Sequence, residues 1–225
     1  PEHAAPARRA SSGGSAVLSA SHVSNSGLIQ ADAGQIVLGG ASAFTVDFDG
    51  DNLLRYAITT PVSSTPTDGN GTARKELVAN SGSLSAAGGK ILLTARAAAN
   101  VADNVVKNSG MISATSASVH NGEVVLDAGD GTVDAAGTIA ATGNGVGETG
   151  GKITLAGSTV NVADNAVIDA SGEQGGGTIA IGGGLHGTGP YQAAQNTAVA
   201  AAAIHHARPH LSGLARSGSN GSAVR

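Results

Sequence analysis

The sequence predicts an all-β protein built as a parallel β-solenoid with coils of about 27 residues. Three observations support this fold class: a two-strand template recurs, glycine and asparagine separate its copies, and large side chains are scarce. The chain has 35 Gly but only 2 Phe, 2 Tyr and no Trp. Such a composition suits a narrow core that is filled in thin layers by Ala, Val, Ile and Leu and closed by many tight turns.

The template begins with a small residue and Gly, followed by a strand in which apolar residues alternate with small or polar ones. After a variable gap and another Gly, a second strand of the same kind follows. Alternate residues of a strand face opposite sides, so we expect the aligned apolar residues to face the interior of each coil. Copies occur at 26–38, 81–93, 109–126, 136–155 and 166–181. The aligned residues are Ile29, Leu84, Ile112, Ile139 and Ile168 in the first strand, and Ile36, Leu38, Ile91, Leu93, Val124, Leu126, Ile153, Leu155, Ile179 and Ile181 in the second.

The spacing of the copies predicts the coil count. Successive aligned residues of the first strand are 55, 28, 27 and 29 residues apart. The first spacing is twice the others, which predicts a degenerate copy between residues 43 and 75, with strand-like sequence at 43–58. About seven coils, stacked roughly 4.8 Å apart, would rise roughly 30–35 Å. A β-sandwich is less favoured, because its strands do not repeat one side-chain template.

Composition and charge exclude several function classes. The net charge is −4, so there is no basic field for nucleic acid, and four aromatic rings give little base stacking. The absence of Cys excludes disulfides and thiolate metal sites. No apolar run approaches the roughly 18 residues of a membrane helix. We therefore expect no nucleic-acid partner and no membrane span.

The two ends depart from the template. Residues 1–15 lack alternation and predict a flexible segment, and 16–204 carry the β-helix repeats. Residues 205–225 are locally basic and rich in Ser and Gly, which predicts a disordered tail. The Ala-rich stretch 192–204 fits either a helix or a further coil.

The repeats resemble secreted exoproteins of the filamentous haemagglutinin family, which bacteria export by two-partner secretion. The resemblance is carried by "VSNSGLIQADAGQIVLGG" at 23–40, "VDFDGDNLL" at 46–54, "VANSGSLSAAGGKILLTARAA" at 78–98, "VVKNSGMISA" at 105–114 and "VIDASGEQGGGTIAIGG" at 167–183. It implies a right-handed parallel β-helix, an outer-membrane transporter as partner, and adhesion or haem-carrier binding at the cell surface.

The resemblance also indicates which part of such a protein this chain represents. The secretion domain of the family begins with a signal peptide and carries an Asn-Pro-Asn-Gly motif, and this sequence, which starts at Pro1, has neither. We therefore expect the rear of a secretion domain and the first stalk repeats. The implied function is a rigid, non-enzymatic stalk of a secreted or surface adhesin. It would need no cofactor, and its partners would be the transporter and a host receptor or glycan.

An acidic cluster is a weak candidate calcium site. Asp47, Asp49 and Asp51 occupy the first, third and fifth places of a calcium loop, where oxygen ligands can converge on a cation. The twelfth place is Ile58 instead of a bidentate Glu, and Asn52 stands where Gly is expected. The alternative is a polar turn leading into a strand.

Three further motifs have structural interpretations. The G-x-G-x-x-G match at 145–150 precedes a strand, so it favours a turn over a phosphate cradle. "NVADN" at 100–104 and again at 161–165 favours one corner of a coil used twice. His206 and His210 have the spacing of a zinc pair on a helix, but Pro209 interrupts that helix.

A carbohydrate-active β-helix enzyme is the alternative function. Glycoside cleavage needs two converging carboxylates, and four aromatic rings cannot line a long sugar groove. Each candidate carboxylate also fits a turn, which favours the structural function. These candidates are Asp103, Asp127, Asp134, Asp164 and Asp169.

Overall fold

The computed structural model describes residues 7–48, 54–67, 70–98, 101, 106–118, 120–184 and 189–209. These residues form strands, turns and irregular segments, with no α-helix among them. Accordingly, the described part of the chain contains no helix that is long and apolar enough to cross a membrane.

Three parallel sheets form the body of the protein. Sheet A stacks β1 (Ala7–Arg9), β4 (Leu28–Gln30), β9 (Ser83–Ser85), β12 (Met111–Ser113), β15 (Thr138–Ala140), β18 (Val167–Asp169) and β21 (Ile204–His206). Sheet B stacks β2 (Ala16–Ala20), β5 (Gln35–Gly40), β10 (Lys90–Ala95), β13 (Glu123–Asp127), β16 (Lys152–Ala156) and β19 (Thr178–Ile181). Sheet C stacks β3 (Val23–Asn25), β8 (Val78–Asn80), β11 (Val106–Asn108), β14 (Thr132–Ala135), β17 (Thr159–Val162) and β20 (Asn196–Val199).

The chain visits sheets A, B and C in turn and then returns to sheet A one coil later. Each strand pairs in parallel with the strand of the same sheet in the next coil. Short strands with parallel neighbours on both sides, repeated around one axis, make a parallel β-helix. The predicted fold class is therefore confirmed.

The aligned apolar residues of the template lie in columns through the interior. Ile112 pairs with Leu84 in the preceding coil and with Ile139 in the next. All the aligned residues except Ile179 and Ile181 are at most 2% exposed. Those two are half-buried, because β19 is the last strand of sheet B.

The prediction of a degenerate coil between residues 43 and 75 is wrong. β6 (Ala43–Phe48) and β7 (Leu54–Thr60) form a separate antiparallel hairpin. Ile29 pairs directly with Leu84, so the long spacing is one coil that carries an insertion. The rings of Phe44 and Tyr56 stack with centroids 5.4 Å apart, a bulk that the narrow aliphatic core cannot hold.

Strands at the two ends pair through the backbone. β1 lies within residues 1–15 and pairs with β4, although its side chains are all exposed. The stretch 192–204 supplies β20 and the first residue of β21, so it forms a further coil and not a helix. An exposed strand has no apolar alternation, which is why the sequence pattern did not indicate β1.

A ladder of buried asparagines runs through the first coils of sheet C. Asn25 donates its amide to the Oδ1 of Asn80 at 2.8 Å, and Asn80 donates to the Oδ1 of Asn108 at 2.8 Å. Asn108 is fully buried and completes the ladder by donating to the carbonyl oxygen of Gly110 at 3.3 Å. The interior therefore holds polar side chains whose hydrogen bonds run from coil to coil.

Columns of glycine let neighbouring coils touch at their corners. A Cβ on Gly82 would overlap the carbonyl oxygen of Gly27 in the preceding coil. The same overlap relates Gly110 to Gly82 and Gly137 to Gly110. These glycines are required by close backbone approach, and the stacking distance leaves no room for a side chain.

We expect Gly110→Ala to lower the free energy of unfolding by about 1–3 kcal/mol, since the added methyl overlaps a backbone oxygen of the preceding coil. Gly175→Ala is the matched control, because a Cβ there meets only the Thr149 side chain at 3.7 Å. Thermal unfolding followed by circular dichroism measures both. Equal losses in the two variants would contradict the close-approach explanation.

Candidate functional site

The β6–β7 hairpin lies across the outer face of sheet B. Leu54, Tyr56 and Ile58 are more buried than the intervening Arg55 and Ala57, so one face of β7 is turned toward the coils. The apolar face of the hairpin thereby covers part of a sheet that would otherwise be exposed to solvent.

Tyr56 anchors the hairpin. Its hydroxyl lies 2.6 Å from the Oγ of Ser19, which also donates to the carbonyl oxygen of Gly39 at 3.1 Å. A Cβ at Gly39 would overlap the phenol, so glycine makes the space for the ring. Ser19 and Gly39 belong to adjacent strands, and one tyrosine therefore ties the hairpin to two coils.

Gln35 forms a second anchor. With its amide oriented to satisfy both groups, Gln35 donates to the carbonyl oxygen of Leu54 at 2.9 Å and accepts from the Leu54 N–H at 3.0 Å. Gln35 is 6% exposed and Leu54 is 7% exposed. This buried side-chain amide therefore pairs with the main chain of the hairpin as a neighbouring strand would.

A cleft of about 520 Å³ opens between β7 and the coil that contains β10. Its size lies within the range of small-ligand pockets. Beyond Gln35 and residues 54–58, its lining residues are Lys90, Leu92, Thr94, Arg96, Asp127 and Tyr191. The coils supply the floor, while the hairpin and the segment that follows β19 supply aromatic side chains. We take this cleft as the candidate functional site.

Ion pairs organise the charged side chains of the cleft. Arg96 pairs with Asp127 at 2.7 Å and donates to the carbonyl oxygen of Ala95 at 2.8 Å, which fixes the guanidinium. Lys90 lies 3.0 Å from Glu123, and the same carboxylate lies 4.0 Å from Lys152 in the next coil.

Both tyrosines of the cleft are weaker acids than free tyrosine. Burial raises the pKa of Tyr56, and its hydrogen bond with Ser19 opposes that rise. Burial also raises the pKa of Tyr191, where Lys90 lowers it and Glu123 and Asp127 raise it. The neutral phenols are thus favoured in the folded protein.

We expect the phenols to ionise at higher pH in the folded chain than in the denatured chain, because their folded pKa values are raised. Their contribution to stability is present below about pH 10 and is lost as pH rises through the folded pKa values. Absorbance at 295 nm measures both transitions. Since the chain has 2 Tyr, Tyr191→Phe leaves Tyr56 as the sole signal. Coincident titration of folded and denatured protein would contradict the expectation.

The calcium candidate lies at the hairpin. Asp47 is in β6, directly opposite Arg55 of β7, and not in a loop between helices. Asp49 and Asp51 lie outside the described residues. The described part of the chain contains no cluster of three or more metal-ligating side chains of the His, Cys, Asp and Glu types. The calcium site stays a prediction.

The remaining motifs fall on turns and strands. Residues 145–150 form a turn ahead of β16, in which Glu148 accepts from the Gly145 N–H at 2.8 Å, so the interpretation as a turn is confirmed. In the second "NVADN", Val162 is buried and Asn165 has a φ of 65° at the following turn, as a coil corner requires. Of the first copy, only Val101 is described, and it packs partly against the core.

The histidine pair is not on a helix. His205 and His206 lie in β21, with exposed side chains, and His210 lies outside the described residues. His206 therefore lies at the end of a strand and not on a helical turn, and the geometry of the pair lies outside the described residues.

Three of the five carboxylates weighed for catalysis have separate structural partners. Asp127 pairs with Arg96, and Asp134 accepts from Asn161 at 2.9 Å. Asp169 accepts from the Ser171 N–H at 2.8 Å. Asp164 lies in a turn, and Asp103 lies outside the described residues.

Comparison with known proteins finds a likeness among solved structures. No protein-family description matches the sequence, and no curated protein matches it significantly. Among solved structures, the chain is similar to the HMW1 secretion domain from Haemophilus influenzae, with a TM-score of 0.66 and 27% identity. The match covers 87% of this chain and 47% of that one, so this chain spans about half of its length. In fold and sequence, the chain is therefore similar to part of a bacterial secretion domain.

Proposed function

We propose that this chain is a non-enzymatic segment of a bacterial exoprotein exported by two-partner secretion. The observation that carries the proposal is the likeness to the HMW1 secretion domain, at 27% identity over 87% of this chain. The resemblance of residues 23–40 and 78–98 to filamentous haemagglutinins also supports this assignment.

The proposed mechanism is mechanical. Each coil docks on a finished coil through parallel ladders and an aliphatic core, so folding can proceed coil by coil as the chain leaves an outer-membrane transporter. The free energy released as each coil docks then opposes return of the chain through the transporter. The completed rod holds binding regions away from the cell surface, where a host receptor or glycan is the proposed adhesive target.

We expect deletion of the outer-membrane transporter that exports this protein to remove it from the culture medium and the cell surface, because no other partner completes its passage. Immunoblots of medium, surface and periplasmic fractions from the source bacterium measure the change. Expression of the transporter from a plasmid is the control and should restore export.

Unchanged secretion after deletion of every two-partner transporter would contradict the export proposal. Turnover of acidic or neutral polysaccharides by the purified chain, lost on replacement of Asp127 and Asp134, would contradict the non-enzymatic assignment.

A further inference from the structure

β7 has one paired edge and one edge without a partner strand. The hairpin is a sheet of two strands, and within the described residues β7 pairs only with β6. Residues 54–58, five in succession, line the cleft, so the unpaired edge of β7 faces it. An edge of this kind presents main-chain N–H and C=O groups that a further strand can pair with.

Gln35 shows which main-chain groups point into the cleft. Its amide pairs with both the N–H and the C=O of Leu54. In an antiparallel pair, main-chain groups alternate between the two edges, so those of Tyr56 and Ile58 point the same way as those of Leu54. Gln35 therefore fills the first position of a ladder whose next two positions, at Tyr56 and Ile58, have no strand partner among the described residues.

The floor beside this edge has a defined side-chain pattern. Lys90, Leu92, Thr94 and Arg96 alternate along the β10 segment and all line the cleft. The aliphatic Leu92 and the hydroxyl of Thr94 thus lie between the cations of Lys90 and Arg96. Lys90 and Arg96 line the cleft as cations in a chain of net charge −4, and Asp127, the partner of Arg96, lines it as a carboxylate.

The charge balance favours an anionic occupant. Lys90 and Lys152 share the Glu123 carboxylate, so this group of three carries a net positive charge. The Lys90 side chain is 32% exposed, which leaves its ammonium accessible from the cleft. Complementary charge steers association and selects among partners that offer the same backbone groups.

We propose that the unpaired edge of β7 binds an extended acidic segment of a partner polypeptide, which adds to the hairpin as a third strand. Main-chain hydrogen bonds to Tyr56 and Ile58 align the segment, in the mode known as β-strand addition. Side chains that face the coils alternate with those that face solvent. The central coil-facing side chains are small or aliphatic and rest on Leu92, and acidic side chains at the two ends reach Lys90 and Arg96.

The probe is the capped peptide Glu-Thr-Val-Thr-Val-Thr-Glu, which places Glu, Val, Val and Glu on one side of a strand. We expect it to slow hydrogen exchange at the amides of Tyr56 and Ile58 in the full chain, measured by nuclear magnetic resonance. The same peptide with Lys in place of Glu is the charge control. A peptide N-methylated at alternate residues, which cannot complete the ladder, is the backbone control. Both controls should leave the exchange unchanged.

Two lysine variants test the charge requirement. We expect Lys90→Gln to weaken peptide binding about threefold to fivefold, the loss of one partly exposed ion pair, as measured by fluorescence anisotropy. Lys107→Gln is the matched control: Lys107 pairs with Glu76 at 3.6 Å and does not line the cleft, so binding should be unchanged. Circular dichroism establishes that both variants fold.

Three results would overturn the proposal. The first is no protection of Tyr56 and Ile58 at millimolar peptide. The second is equal binding of the Lys-containing peptide, which would remove the acidic specificity. The third is protection of the same amides without peptide, together with a concentration-dependent dimer in sedimentation, which would identify a second copy of this chain as the occupant.

Discussion

The parallel backbone ladder between successive coils is the interaction on which the rest of the structure depends. It fixes the distance between coils, and that distance places equivalent residues directly above one another. Ile112 therefore contacts the column formed by Leu84 and Ile139, and Asn80 meets Asn25 and Asn108. Where the coil turns a corner, the same distance excludes a side chain, as at Gly82 and Gly110. The composition of the chain, rich in Gly and poor in large residues, follows from this one spacing.

The ladder also explains why a long insertion is tolerated. An insertion at a corner leaves the register of the strands on either side intact, as the direct pairing of Ile36 with Ile91 shows. The hairpin is then free to carry aromatic side chains that the core excludes. It is stabilised by docking on the outside of the coils, where Tyr56 reaches Ser19 and Gln35 holds Leu54. The outer face of sheet B thereby becomes partly buried.

The sequence allowed prediction of the coils because their information is local. Apolar residues alternate with small or polar ones around Ile29 and Ile36, and Gly marks the turns. This pattern is visible within a few residues and recurs in successive coils. Alternation does not distinguish parallel from antiparallel pairing, so β6 and β7 looked like a degenerate coil. The asparagine ladder had an available signal, the recurrence of Asn-Ser-Gly at 25–27, 80–82 and 108–110. The sequence carried no signal for the cleft, because Tyr56 and Tyr191 are far apart in sequence and only the fold brings them together.

Departures from the template are where a repeat protein acquires specificity, since regular coils satisfy their own hydrogen bonds and present similar surfaces throughout. In this chain the hairpin and the segment after β19 are two such departures, and both contribute to one cleft over sheet B. The hairpin brings an unpaired edge, and the segment after β19 brings Tyr191. The coils beneath bring a charge pattern set by the column of Lys90, Glu123 and Lys152. A rod that serves only as a spacer requires none of these features. Their convergence on one face is the reason why we propose that this part of the chain also binds a partner.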